Sequence, residues 1–535
     1  MNQSSLKSLA FVLLIISVAN TACKKSKATP NEDAVVESNN KQTKTTDRTQ
    51  LTNDSLFLYA KQIYYWKDAL PAYDTFEPRN YGSNYDKELF AITQFKINPE
   101  TGKPYEFVTL NPSYPDETKY SYIQDITQNN PQTTASIRDL KNAVDLEGFG
   151  NDIGIRPVSY ISGLTDPYLL YVTAVYPSSP ADNAGVKRGW NITKINNRTV
   201  GSNYSTDQSW VNSALSGSSV KLEGTKYESG VAAGTFSVTL KSASYASSPV
   251  YATKVLTAGT KKIGYLAYGR FSRESNSKPE LDAAFAKFSS QGVTDLVVDL
   301  RYNGGGYVST AEYLTNLIAP STATGTMFIE YYNTLMQTGK ADILKNQPRT
   351  DDKDVIVGTY NDYDYSPSGN TASFEKKGTL TSVKNIVFLV SGNTASASEL
   401  VINSLKPHMT VKLVGDTTYG KPVGFFPVRI ENRYDVYLAS FETKNSAGQG
   451  GYYTGMVPDF SAYDDPRYDF GDKTEIFLAR ALSILAPGTT ISAKKADVMS
   501  MGNRTNNTSE LNIQKPANGS AGFNGMIDDR RKLKK

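Results

Sequence analysis

Apolar runs alternating with helical stretches dominate the chain from about Lys254 onward, and this alternation limits the folds open to it more than any other feature. IGYLAYGRF reads as a strand, and ELDAAFAKFSSQG as a helix closed by Gly292. TDLVVDLRYNGGG is a buried strand running into a glycine-rich turn, followed by the helix TAEYLTNLIAP. After a polar, irregular insertion over residues 321–384 come the strand NIVFLV, the turn SGNTASASEL, the helix ELVINSLK, the strand TVKLVGD and the turn TTYGKPVG. DKTEIFLARALSILA makes a last amphipathic helix. Strands alternating with helices predict a largely parallel or mixed sheet, with functional groups in the turns at its strand ends.

The rest of the chain is organised differently. At 535 residues, and roughly 150 residues per domain, three or four units are expected. The first 23 residues carry one lysine, an apolar run from Leu9 to Val18 and small residues before Cys23. The run is too short to span a bilayer and reads as a signal peptide. Cys23 is the chain's one cysteine, so no internal disulfide can form and the core must hold the fold. Residues 24–52 are polar and read as a flexible tether. Residues 53–140 read as a small helical unit whose sequence says little about its chemistry. Residues 145–243 turn to short β-runs, with SPADNAG as a short helix capped by Ser179 and closed by Gly185. Residues 487–535 form a polar tail in which GMIDDRR is the stretch able to dock. A net charge of +4 without a basic stripe argues against nucleic acid as a partner.

The serines of SGNTASASEL pose the chemical question. Ser396-Ala397-Ser398-Glu399 fits the capping box S/T-x-x-E, and most serines in that setting only start a helix. A serine at a helix start can also be a nucleophile, because the free N–H groups there suit a developing oxyanion. It then needs a base. His408 is the only histidine, lies at a helix end and has no evident orienting acid, so a Ser-His-Asp triad is disfavoured. A two-histidine zinc site is excluded by composition, and the one thiol sits in the export signal. A lysine whose ammonium is destabilised by burial remains. Lys421, beside Gly420 and flanked by Val423, Phe425 and Phe426, fits.

SSPADNAGVKRGWNITKINNRTV resembles the core of a PDZ domain. DLRYNGGG, TASASE and TYGK, in this order, resemble the motifs of the C-terminal processing peptidases, serine peptidases with a Ser-Lys dyad and an embedded PDZ domain. The resemblance covers about residues 145–485. It implies a multidomain α/β protein: a helical N-terminal unit, a PDZ-like β-domain (145–243) and an α/β ClpP/crotonase-like peptidase core (254–486). It implies Ser396 as nucleophile, Lys421 as base, and an oxyanion hole of the Ala397 amide with that of Gly305 or Gly306. Glu399 and Thr418 are implied as supports. Gly148, Phe149, Gly150, Ile153, Gly154 and Ile155, in GFGNDIGI, would bind the C-terminal carboxylate of a peptide that adds to the sheet edge. The position of Cys23 resembles a bacterial lipoprotein processing site, which implies lipidation there and anchoring in the cell envelope at a bacterial membrane, the outer membrane foremost.

Three residues depart from these patterns: Asn20 before Cys23, Trp190 where PDZ domains usually carry Asp, and Phe425 where some family members carry a lysine-orienting glutamine. The leading expectation is a lipid-anchored serine endopeptidase cutting exported proteins near their C-termini, with protein or peptide substrates bearing apolar tails and no metal or organic cofactor. Phe425 and Trp190 motivate the alternative, an inactive peptide- or protein-binding lipoprotein on the same fold. The 35 tyrosines motivate a weaker third reading, a carbohydrate-binding or nutrient-uptake lipoprotein.

Overall fold

The computed structural model describes residues 42–108, 116–127, 144–161, 167–350, 355–489, 513–516 and 525–534. Cys23, the signal segment and most of the 24–52 tether lie outside the described residues, as does most of the 487–535 tail. Among the described residues no helix is long and apolar enough to cross a membrane.

The expected alternation gives a six-stranded sheet. Its strands in chain order are β1 (Val250–Ala258), β2 (Lys261–Tyr268), β3 (Asp295–Asp299), β4 (Asn385–Val390), β5 (Thr410–Gly415) and β6 (Phe460–Ser461), which is also their spatial order. β1 runs antiparallel to β2, and every later pair is parallel. Side chains alternate across a strand, so each inner strand feeds two cores. Leu296, Val298, Ile386 and Phe388 face one layer with Leu281, Phe285 and Phe288 of α2 (Glu274–Ser290), Leu314 of α3 (Val308–Ile318) and Val401 of α4 (Ala397–Leu405). Val297, Val387 and Leu389 face the other, against Phe477, Leu478 and Leu482 of α5 (Ile476–Leu485). Both faces are covered, which is why the strands read as continuous apolar runs. Each fully buried Leu or Phe contributes roughly 1.5–3 kcal/mol.

Four expectations need correction. The tether ends sooner than residue 52, because α1 (Arg48–Ile63) begins within it, capped by Asp47 Oδ1 accepting from Thr49 N at 2.8 Å. The helical segment that follows has no core of its own: Leu56, Phe57, Ile63 and Trp66 pack into the same cluster as α2, α3 and α4. Its strand Tyr122–Asp125 pairs with Tyr434–Tyr437, beyond the lysine motif. The 321–384 insertion is not irregular. Thr326–Tyr332 pairs with Phe441–Asn445 and Thr371–Ser373, and Met327, Phe328, Tyr332 and Tyr365 are buried. Here single buried residues in polar company, rather than a periodic run, carry the packing. Finally, the GFGNDIGI loop contains a strand, Phe149–Asp152, paired with Ala243–Ala246.

Residues between Ile155 and Lys241 form a β-domain around Ile155, Val172, Ile192, Leu222 and Leu240. Its sheet runs Val231–Lys241, Ser219–Glu228, Asn191–Ile195, Leu169–Val175, Ile155–Ile161. Trp190 is buried and packs on Phe236 with ring centroids 4.3 Å apart. The β-domain is locked to the sheet by buried ions. Arg188 Nη2 lies 2.6 Å from Asp464 Oδ1, which Arg301 Nη1 also meets at 2.6 Å, and Arg301 pairs further with Asp299 and Glu475. Arg301 belongs to DLRYNGGG, so this lock adjoins the glycine turn.

Candidate active site

β4 delivers the serine turn to the sheet edge. Thr394 Oγ1 donates to Leu300 O at 2.8 Å, and Ala395 N to Asn303 O at 3.2 Å, so the turn is fastened to the glycine-rich turn after β3. Ser396 follows with φ +61° and ψ −111°, a strained backbone for a side chain of its kind and one that clusters at functional sites. Glu399 Oε2 accepts the Ser396 N–H at 2.8 Å, the reach-back half of a capping box. The other half is loose. The N3 amide faces the serine in capping-box fashion, but outside hydrogen-bonding geometry, and the buried Oγ has no hydrogen-bond partner among the described residues. A buried hydroxyl that caps nothing calls for another task.

Lys421 is fully buried, its Nζ 4.3 Å from the centroid of the Phe425 ring and 5.7 Å from that of Tyr120. Nζ donates to the Tyr120 carbonyl at 3.2 Å. Burial pushes its ammonium down from 10.5 to about 7, against the pull of Glu106 and Glu399, which favour the charged form, and with help from Lys119. Phe425, in place of a polar orienting group, lines the dry side of this pocket.

No hydrogen bond joins Ser396 Oγ to Lys421 Nζ in this structure. Glu399 joins the two residues instead. Its Oε2 accepts both Ser396 N and Lys421 N at 2.8 Å, while Oε1 accepts Gly420 N at 2.8 Å and Thr418 Oγ1 at 2.5 Å. Burial raises the Glu399 carboxyl, and these four donors oppose the rise. Thr418 thus reaches the lysine only through Glu399, and its own Oγ1 accepts Met456 N at 2.7 Å.

The glycine turn faces the serine from β3. The Gly305 N–H donates to Asn303 Oδ1 at 2.9 Å, so of the two glycine amides expected in an oxyanion hole this one is engaged within its own turn. A Cβ at Gly305 would lie 3.0 Å from Ala397 N and 3.0 Å from Ser396 Cβ, so only glycine allows the approach. Ala397 opens α4, where amides have no partner within the helix. Asn303 belongs to the DLRYNGGG motif. It ties the two turns, its carbonyl accepting Ser398 Oγ at 3.0 Å.

Sequence reasoning missed the contribution of the N-terminal unit. Glu106 accepts Tyr120 N, Ser121 N, Ser121 Oγ and Tyr64 OH, and so sets the carbonyl that meets Lys421. Lys119 is pushed down to about 8 by burial and donates to Tyr453 O at 2.7 Å. No motif marks these residues. Glu106 and Tyr120 stand 14 residues apart in an otherwise ordinary stretch.

Of the six residues expected to hold a peptide, Ile153 and Ile155 are buried in the β-domain core and Phe149 is 61% exposed. Several amides there are engaged within the fold: Gly148 N with Asp145 O, Phe149 N with Asp145 Oδ1, and Gly154 N with Asp152 Oδ1. Gly150 sits in the strand pairing with Tyr245. His408 lies at the end of α4, its Nε2 3.0 Å from Ser446 Oγ and its ring against Phe374, groups outside this site.

The sequence profile of Peptidase family S41 matches residues 262–462, which span β2 to β6 and all three motif turns. The chain therefore carries a peptidase family S41 domain. Over 319 residues it is 26% identical to the chloroplastic carboxyl-terminal-processing peptidase 1 of Arabidopsis thaliana, covering 59% of this chain and 56% of that protein. Over 257 residues it is 28% identical to the carboxy-terminal processing protease CtpA of Bacillus subtilis strain 168, covering 48% and 45%. The chain thus spans about half the length of these relatives. A crystal structure of a putative S41 protease from Bacteroides fragilis superposes with a TM-score of 0.54 at 21% identity, covering 81% of this chain and 97% of that one, which shows a shared fold.

Proposed function

We propose that this protein is a serine endopeptidase that cuts exported proteins near their C-termini. Ser396 Oγ attacks the scissile carbonyl while Lys421, neutral above pH about 7, takes its proton. The oxyanion is held by the Gly306 and Ala397 amides. The peptide C–N bond then breaks, the proton passes from Lys421 to the leaving amine, and water, activated by the same lysine, releases the acyl group. The observation that carries this reading is the single buried carboxylate, Glu399, bonded to the amides of Ser396 and Lys421 at once. A serine and a dried lysine held in one frame have a use in catalysis and none in packing. The Ser–Lys hydrogen bond belongs to the substrate-bound state, since catalytic contacts often tighten only there.

On this reading the β-domain is PDZ-like and adds a substrate's apolar C-terminal tail to the edge of Ile155–Ile161. Cys23 is the lipidated residue that anchors the enzyme in the cell envelope, and the likeness to carboxyl-terminal-processing proteases supports the substrate class. The test is cleavage of an unstructured reporter with an apolar C-terminal tail by the chain lacking residues 1–23. Cleavage that Ser396→Ala and Lys421→Ala each abolish supports the reading. Cleavage that survives either substitution removes the dyad. The second reading, a scaffold that binds peptides without cutting, draws on the complete burial of Ser396 and Lys421. Failure of a fluorophosphonate to label Ser396 under every condition would favour it.

A further inference from the structure

The cleft between the glycine turn and the lysine motif is filled by the chain's own C-terminus. Gly525–Ile527 pairs in parallel with Gly305–Tyr307, with Gly525 N donating to Gly304 O at 3.0 Å. On its other side Phe425 N donates to Met526 O, and Asp528 N to Phe425 O, both at 3.0 Å. The segment is thus a middle strand between the two motifs, and Met526 is fully buried. In a parallel ladder of this register the Gly525 carbonyl faces the Gly306 amide. The Cβ position of Gly305, close to Ala397 N and Ser396 Cβ, lies only 2.3 Å from Gly525 O. A peptide carbonyl therefore already stands at the oxyanion donors.

The segment is held firmly. Arg530 pairs with Glu330 at 2.7 Å and Glu312 at 2.9 Å, Tyr332 OH donates to Asp528 Oδ2 at 2.9 Å, and Arg531 lies over Tyr360, Tyr363 and Phe426. Most of these partners belong to the 321–384 insertion, which acts as the clamp. Independently, Ile513–Pro516 pairs antiparallel with Ile155–Ile161, the edge proposed to receive substrates.

We propose that the C-terminal segment is a built-in occupant of both substrate positions, and that Ser396 reacts only when Gly525–Asp528 leaves the cleft. This inference rests on the Ser396–Lys421 reading above. A substrate with its end on the β-domain edge enters the site through residues upstream of that edge. The tail enters through residues downstream of it, so it is threaded in the opposite sense and occupies the cleft without being cut.

The experiment compares three proteins lacking residues 1–23: the otherwise full chain, a chain ending at Asn524, and Arg530→Glu, which sets a like charge against Glu330. Rates of Ser396 labelling by a fluorophosphonate and of reporter cleavage are measured, with intact mass as a control. The truncated and Arg530→Glu proteins should label about tenfold faster or more, since apparent reactivity scales with the unoccupied fraction. A synthetic peptide of residues 525–535 should slow the truncated protein again. Equal or slower labelling in the folded variants would overturn the inference, as would a peptide that raises activity, because the segment would then complete the site. If the truncated chain does not fold, Arg530→Glu decides alone. If no form labels Ser396 or cleaves, the dyad reading itself falls, and the inference with it.

Discussion

At the scale of single residues, the proposed chemistry turns on the proton of Lys421. Its folded pKa of about 7 lies below the ordinary 10.5, and desolvation is the main cause. In the proposed mechanism the neutral form takes the serine's proton, so kcat/KM should rise through pH 7 and then level, as a pH–rate profile would read. Between pH 7 and 10.5 the unfolded chain binds more protons than the folded one, so stability rises with pH across that window. Below pH 7 the full cost of burying the ammonium remains. Lys421→Met should remove this rise in denaturant unfolding while lowering turnover by about 10²–10⁴-fold. Phe425→Gln should admit water to the pocket and move the activity limb to higher pH. A limb that stays in place would show that the Phe425 ring contributes nothing to the dryness around Lys421.

At the scale of elements, Glu399 binds the start of α4 to the turn after β5. Glu399→Ala should strand four donors that now share one carboxylate. Each buried donor left unsatisfied costs about 1–3 kcal/mol, so a large fall in thermal stability and in turnover is expected together. Glu399→Gln should restore part of the stability and less of the activity, since an amide cannot accept from all four at once. Much of this level was legible in sequence. The strand NIVFLV, the turn after it and the helix ELVINSLK follow from local pattern, and Ser396 and Lys421 stand out because short glycine-flanked turns carry them. The role of Glu399 was legible only as helix capping, because its bonds to Thr418, Gly420 and Lys421 depend on how two turns meet. Tyr120 and Glu106 were illegible for a stronger reason. They come from a segment whose local pattern is ordinary, and only tertiary packing brings its carbonyl to Lys421. The docking of the polar end was legible as a possibility in GMIDDRR, but not where it would dock, since a partly buried, paired arginine such as Arg530 looks like a solvated charge in a sequence.

At the scale of the whole molecule, Arg188, Asp464 and Arg301 make one unit of the β-domain and the six-stranded sheet. Asp464→Ala should leave two buried guanidiniums short of a partner and cost about 3–5 kcal/mol in denaturant unfolding, the range for breaking a buried ion pair from one side. A loss under 1 kcal/mol would show that water reaches the cluster and that the lock is weak. The lock also has a metrical consequence. With the edge of Ile155–Ile161 fixed relative to Ser396, the gap between them is a ruler. A substrate gripped by its end would be measured against the same ruler, so the fragments released from unrelated proteins should share nearly one length.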